Sequence, residues 1–160
     1  MNSDIDFSPA AQAERRNRIW RKHNAWCRRY YEDDGTFRYV QTQPDLRTHC
    51  FHAIPWLAGT AEDQSLANRI LRRYPLGALD RETPLVHAFS HTLSAHLLCL
   101  HDERLDADNR AELRSVLSDR VVRGRIYRSR YSGYNDNYPT MDAFAVLVAP
   151  RFVEIPDEAV

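Results

Sequence analysis

The chain has 160 residues, of which 43% are hydrophobic, and its 22 Lys and Arg residues equal its 22 Asp and Glu residues in number. This length fits one domain that folds without disulfide bonds, and we expect a single domain over residues 1–160 with flexible ends at 1–7 and 151–160. The zero net charge excludes a basic field over the whole molecule, which argues against nucleic acid as a partner.

The cysteines indicate the compartment. Cys27, Cys50 and Cys99 are odd in number, widely spaced and set among apolar neighbours. This pattern is typical of reduced core thiols in a cytoplasmic protein. The first residues are polar, and no apolar run approaches the roughly 18 residues of a membrane span. We therefore expect a cytoplasmic protein without a membrane partner.

The first predicted helix begins at Ser8-Pro9, a cap residue followed by the proline that suits the first helical position. Asp33-Asp34-Gly35 ends the helical region, and residues 36–43 are a candidate extended segment. Apolar and aromatic side chains recur at helical spacing and predict one buried stripe. The stripe contains Ile19, Trp20, His23, Trp26, Cys27, Tyr30 and Tyr31.

Two further helices are predicted before residue 80. The segment 48–61 contains no charged side chain and predicts a buried helix that kinks or ends near Pro55. Thr60 and Asp63 form a candidate capping box that opens an amphipathic helix, which Pro75 and Gly77 close.

Residues 83–101 contain no Asp, Glu, Lys or Arg, so we predict a central helix buried on all sides. Asp106 begins the next amphipathic helix, and Gly124 is its predicted end. A loop over 125–137 follows, and Pro139 opens a last apolar helix.

Amphipathic and apolar helices thus alternate along the chain. The amphipathic helices start at Ser8, Thr60 and Asp106, which are 52 and 46 residues apart. This spacing predicts an all-α fold of three helical hairpins, with outer amphipathic and inner apolar helices, as in half of an α/α toroid or a short α-solenoid. An ordinary six-helix globule is the alternative.

Four histidines lie in the central helix. His87 and His91 are four residues apart and share a helix face, a familiar arrangement for a metal pair. Zinc or iron would need a third ligand such as His49, His52 or Asp142. Neutral histidines that are hydrogen-bonded in a core are the simpler interpretation, so we expect no resident metal and keep the metal protein as an alternative.

The loop before the last helix is the strongest candidate in the sequence for a ligand-binding site. Residues 128–140 concentrate Tyr, Asn, Asp and Arg next to a helix N-terminus, which suits anionic or oxygen-rich ligands. Any one of Asn135, Asp136 and Asn137 could be an N-cap, but three consecutive residues exceed what a cap requires.

Two segments carry a resemblance to a known family. The segments TQPDLRTHCFHAIPWLAGTAEDQSLANRILRRY and SGYNDNYPTMDAFAVLV resemble the inner-helix starts of six-hairpin (α/α)6 toroid proteins, the fold of many glycosidases and polysaccharide lyases. The resemblance implies a carbohydrate ligand in a funnel at the N-terminal ends of the inner helices. His49, His52, His87 and residues 135–138 would then lie near one rim.

If the protein is catalytic, the residue types suit elimination from a uronate sugar better than hydrolysis. Hydrolysis requires two carboxyl groups about 5 to 9 Å apart, and Asp136 with Asp142 is the only candidate pair. Elimination requires a group that neutralises the substrate carboxylate, a base and an acid. The candidates are Arg130, Asn135 or Asn137 for neutralisation, His87 or His91 as the base, and Tyr134 or Tyr138 as the acid.

The chain contains about three of the six hairpins of such a toroid. A half-toroid would expose its inner helices, so a second hypothesis is a non-catalytic interaction module completed by self-association, as a dimer, or by a helical partner. The Arg-rich first helix and the run RVVRGRIYRSRY suit phosphate contacts, but the zero net charge argues against nucleic acid.

Overall fold

The computed structural model describes residues 6–39, 46–78, 87–128 and 137–154. Within these ranges the fold is all-α, as predicted, and the only extended pairing is an isolated antiparallel bridge between Tyr31 and Phe37. The described residues form six α-helices: α1 (Pro9–Cys27), α2 (Leu46–Leu57), α3 (Ala61–Arg73), α4 (His87–His101), α5 (Ala107–Arg128) and α6 (Asn137–Val148).

The predicted caps form as expected. The Ser8 hydroxyl accepts a hydrogen bond from the Ala11 amide, and Pro9 occupies the first position of α1. Thr60 and Asp63 form both halves of a capping box at α3. The Asp106 carboxylate accepts from the Asn109 amide at the start of α5. Each side chain satisfies a backbone donor that has no partner inside the helix.

Several predicted helix ends differ from the observed ones. Gly124 lies inside α5, which continues to Arg128, because a single glycine weakens a helix by only about 1 kcal/mol. Helix α2 includes Pro55. Helix α6 begins at Asn137, two residues before Pro139. The predicted start of the central helix at residues 83–86, and the loop residues 129–136, lie outside the described residues.

The core forms where α2 packs against α3 and where α4 packs against α5 and α6, with α2 also contacting α4. The side chain of Asn68 in α3 joins two elements, because it donates to the Arg104 carbonyl and accepts from the Asp106 amide and the Asn109 side chain. The largest fully buried apolar side chains are Trp56, Tyr31, Leu57, Leu66, Ile70, Leu76, Leu97, Leu98 and Leu117.

The three apolar helices α2, α4 and α6 run in the same direction. The guanidinium of Arg47, at the start of α2, lies 4.7 Å from the ring centroid of Phe89, near the start of α4. The Thr92 hydroxyl donates to the Met141 carbonyl in the first half of α6 at 3.1 Å. At the opposite ends, Arg104 after α4 donates to the Leu57 carbonyl of α2 at 3.0 Å, and Arg151 after α6 lies 3.9 Å from the Cys99 sulfur of α4. The first turns of the three helices therefore lie at one end of the fold.

The predicted stripe of α1 is only partly buried, which corrects the sequence-based expectation. Cys27 is the one fully buried residue of this helix, and Ile19, Trp20 and Trp26 are exposed. Periodicity shows that apolar side chains share a face, but it does not supply a neighbouring element to cover that face. At the other end of the chain, Phe152 and Val153 pack against the core, so packing extends into the predicted flexible end.

No helix within the described ranges is long and apolar enough to cross a membrane.

Candidate functional site

A buried cluster joins Tyr31 to two histidines of α2. The Tyr31 hydroxyl lies 2.8 Å from Nδ1 of His49 and 2.9 Å from Nδ1 of His52. The histidines are three residues apart, so they share the helix face that meets Tyr31. A hydroxyl has one proton, so it can donate to only one of the two ring nitrogens. At least one of the two histidines therefore donates an Nδ1 proton to the Tyr31 oxygen.

His49 is a core residue. Its side chain is completely buried, and its ring stacks on Tyr74 with the centroids 3.7 Å apart. The Tyr74 hydroxyl in turn accepts a hydrogen bond from the Phe37 amide. Burial raises the pKa of Tyr31 above its usual value, and the nearby Cys27 and Tyr74 add to this shift. The side chain of His49 therefore belongs to the core, and its predicted role at a binding rim stays a prediction.

The cluster continues to α1 through His23 and Cys27. The Cys27 sulfur lies 3.5 Å from Nε2 of His23, and the His23 and His52 ring centroids are 6.2 Å apart. Burial raises the pKa of the Cys27 thiol to about 11, and burial also raises the pKa of Cys50. Both thiols are therefore protonated at neutral pH and are not activated nucleophiles.

Four of the other predicted site residues lie within the described ranges. His91 is buried in α4. His87, Asn137 and Tyr138 lie in the first turns of α4 and α6, where the structure describes the backbone alone. The remaining predicted residues lie outside the described ranges, so their roles stay predictions. They are Arg130, Tyr134, Asn135 and Asp136.

No metal site is assembled in the described part of the chain. Within it, no three or more His, Cys, Asp or Glu side chains lie close enough to hold a metal ion. The predicted pair of His87 and His91 includes one side chain that is not described, so the alternative of zinc or iron binding stays a prediction.

An apolar groove of about 450 Å³ lies between α1, α2, α4 and α6. The sequence did not predict this groove, because its residues come from four separate helices. The available signal was the scarcity of charged residues in α2, α4 and α6, which contain only Arg47 and Asp142. The lining residues are Trp20, Phe51, Ile54, Pro55, Phe89, Thr92, Leu93, His96 and Met141.

Apolar residues extend this groove along two helices. On α4, His96 is followed one turn later by the exposed Leu100. On α6, Met141, Phe144 and Leu147 follow one another at three-residue intervals, and Leu147 is 79% exposed. Residues at this spacing are neighbours on a helix surface, so Met141, Phe144 and Leu147 form a continuous strip that begins at the groove. We call these three residues the α6 strip.

Two arginines lie near the groove, one from α1 and one from α2. Arg47 packs on the ring of Phe89, and Arg16 lies one helical turn before Trp20. The sequences of α2 and α4 contain no Asp or Glu, and α6 contains no Lys or Arg. An arginine thus lies near the groove on α1 and on α2, whereas the sequence of α6 contains one acidic residue, Asp142, and no Lys or Arg.

The fold and this groove define the class of the molecule as an all-α protein with a helix-lined apolar groove. No family model, curated protein or solved structure matches the chain. The predicted relationship to six-hairpin toroid proteins therefore stays a prediction from the sequence segments.

Proposed function

We propose that the protein is a non-catalytic helical module that self-associates, and that the α6 strip of one copy binds in the apolar groove of a second copy. One observation carries this proposal: the groove and the exposed strip that begins at its edge form one apolar surface. Contiguous exposed apolar surfaces mark interaction sites more often than single exposed side chains do.

The surface contains both complementary parts of an interface. The groove supplies a concave wall that includes Phe51 and Trp20, and the strip supplies the projecting side chains Phe144 and Leu147. A two-fold axis uses the same patch on both subunits, so a groove beside a ridge can bind its own copy twice. Each copy then covers the apolar residues of the other.

Charge favours a second copy as the occupant. A helix that enters the groove passes near Arg47 and Arg16. Helix α6 brings no Lys or Arg into this environment, whereas an occupant with basic residues would meet repulsion from them. Helices α2, α4 and α6 line the groove. They are also the predicted inner helices, which half of a toroid would leave uncovered.

Substitution at the strip tests the proposal. We expect the purified protein to sediment as a dimer and Leu147→Glu to sediment as a monomer, because a carboxylate in the apolar contact loses its hydration without gaining a partner. Phe51→Glu should have the same effect from the groove side. Analytical ultracentrifugation over a range of concentrations measures both.

Ile19→Glu is the matched control. Ile19 is 64% exposed and lies on α1 away from the groove lining, so this variant should remain dimeric. A wild-type monomer at every concentration, or a dimer that both Leu147→Glu and Phe51→Glu leave intact, would contradict the proposal. Unsaturated product released from a uronate polysaccharide by the monomer would support the carbohydrate alternative instead.

A further inference from the structure

Helix α1 presents a basic strip on the side away from the core. Arg18, Lys22 and Trp26 follow at four-residue intervals, and Arg29 lies three residues beyond Trp26 in the 3-10 turn Arg28–Tyr30 that continues α1. Residues at these spacings share one helix face. We call these four residues the outer strip.

The outer strip carries three cations, Arg18, Lys22 and Arg29. Within the described ranges, Arg18, Lys22 and Arg29 have no carboxylate within salt-bridge distance. Their neighbour Arg28, by contrast, lies 3.2 Å from Asp33 and 3.4 Å from Glu62. Three such cations within residues 18–29 create a local positive field although the whole chain has zero net charge.

Exposed aromatic rings lie beside these cations. The Trp26 ring contacts Tyr30 edge-to-face with the centroids 4.8 Å apart, and Tyr30 contacts Tyr39 at 5.6 Å. Trp26 is 52% exposed and Tyr39 is 51% exposed. Rings that pack against one another are already ordered, so they can stack on bases with little further loss of side-chain conformational entropy.

We propose that the outer strip, together with Tyr30 and Tyr39, binds single-stranded nucleic acid. The cations contact backbone phosphates and the rings stack on bases, which is how proteins bind single strands without sequence preference. This surface is separate from the groove, because none of its residues lines the groove. The net charge is a sum over the whole chain, so a value of zero does not exclude a local basic surface such as the outer strip.

The outer strip suits nucleic acid better than a membrane surface. An interfacial helix needs a broad apolar face that enters the lipid, and this side of α1 offers only Trp26 and the neighbouring Ile19 between its charges. A plain acidic peptide would engage the cations but would not use the three aromatic rings. The ring cluster is thus the feature that favours bases.

Fluorescence anisotropy with a labelled oligothymidylate tests the proposal. For three phosphate contacts we expect log K to fall with log salt concentration with a slope of about −2. Trp26→Ala should weaken binding roughly tenfold through the loss of one stacked base. Lys22→Gln should weaken binding and reduce the slope by about 0.7, since one phosphate contact is lost.

Controls separate this site from the groove and from loss of folding. Circular dichroism should confirm that Trp26→Ala is folded, and Leu147→Glu should bind the oligonucleotide as the wild type does at equal protomer concentration. The proposal is overturned if the wild type does not bind, if Trp26→Ala binds normally, or if polyglutamate competes as well as the oligonucleotide. Equal affinity for duplex DNA, or stronger binding to anionic vesicles, would also overturn it.

Discussion

His52 is a half-buried histidine whose hydrogen bond to Tyr31 links α2 to the residues after α1. Burial lowers the pKa of His52, and the neighbouring His23 adds to this effect. Burial also lowers the pKa of His101, with contributions from Arg104 and His96. Both side chains bind protons more readily in the unfolded chain than in the folded protein.

This difference predicts how stability depends on pH. Because the unfolded state takes up more protons, the free energy of unfolding should fall as the pH drops from 7 through the usual histidine value near 6.5 toward 5. Urea unfolding at pH 7 and at pH 5 measures this loss. His52→Gln and His101→Gln should each reduce the difference between the two pH values, and a double variant that retains the full difference would refute the assignment.

The histidines also illustrate what a sequence reveals at the scale of a residue. The spacing of His87 and His91 suggested a shared face, and that inference needed only the helix period. The contact between Tyr31 and His49 joins residues 18 positions apart, so no local spacing predicts it. Burial of His49 was therefore decided by packing against Tyr74, which is a further 25 residues along the chain.

At the scale of an element, the turn that follows α1 depends on Gly35. This residue has a φ angle of +85°, and the Glu32 amide bonds to the Thr36 carbonyl across the turn. A Cβ atom at position 35 would lie 2.9 Å from the Arg69 carbonyl carbon and the Ile70 amide nitrogen of α3. The turn and α3 therefore fit together only because position 35 has no side chain.

Gly35→Ala should lower the free energy of unfolding by about 2 kcal/mol, since an L-residue is strained at this φ and its methyl group meets backbone atoms. Urea denaturation measures the change. Asp33→Ala in the same turn is the control: it removes one exposed ion pair to Arg28 and should cost less than about 1 kcal/mol. Similar losses for the two variants would contradict the argument.

Helix α6 shows that an apolar sequence does not by itself predict which side chains are buried. Its sequence is almost entirely apolar, which predicted an inner helix, yet Leu147 is largely exposed while Ala145 is buried. An apolar helix is buried only on the sides where other elements reach it. The exposed side of α6 is consequently the strip that we assign to self-association.

At the scale of the whole molecule, self-association should make thermal stability depend on concentration. A dimer that binds through the groove is favoured by mass action, so the midpoint of thermal unfolding should rise with protein concentration. Scanning calorimetry over roughly a hundredfold range measures this rise. Leu147→Glu should show a midpoint that does not change with concentration, and a flat wild-type response would count against the dimer.

The sequence by itself determined the helical class, the caps at Ser8 and Thr60 and the order of amphipathic and apolar helices, because these depend on interactions within a few residues. Only the tertiary structure decided which apolar faces are covered, which histidines are buried and where the groove lies. These properties arise from contacts between α1, α2, α4 and α6, and the local pattern of each helix carries no information about its neighbours.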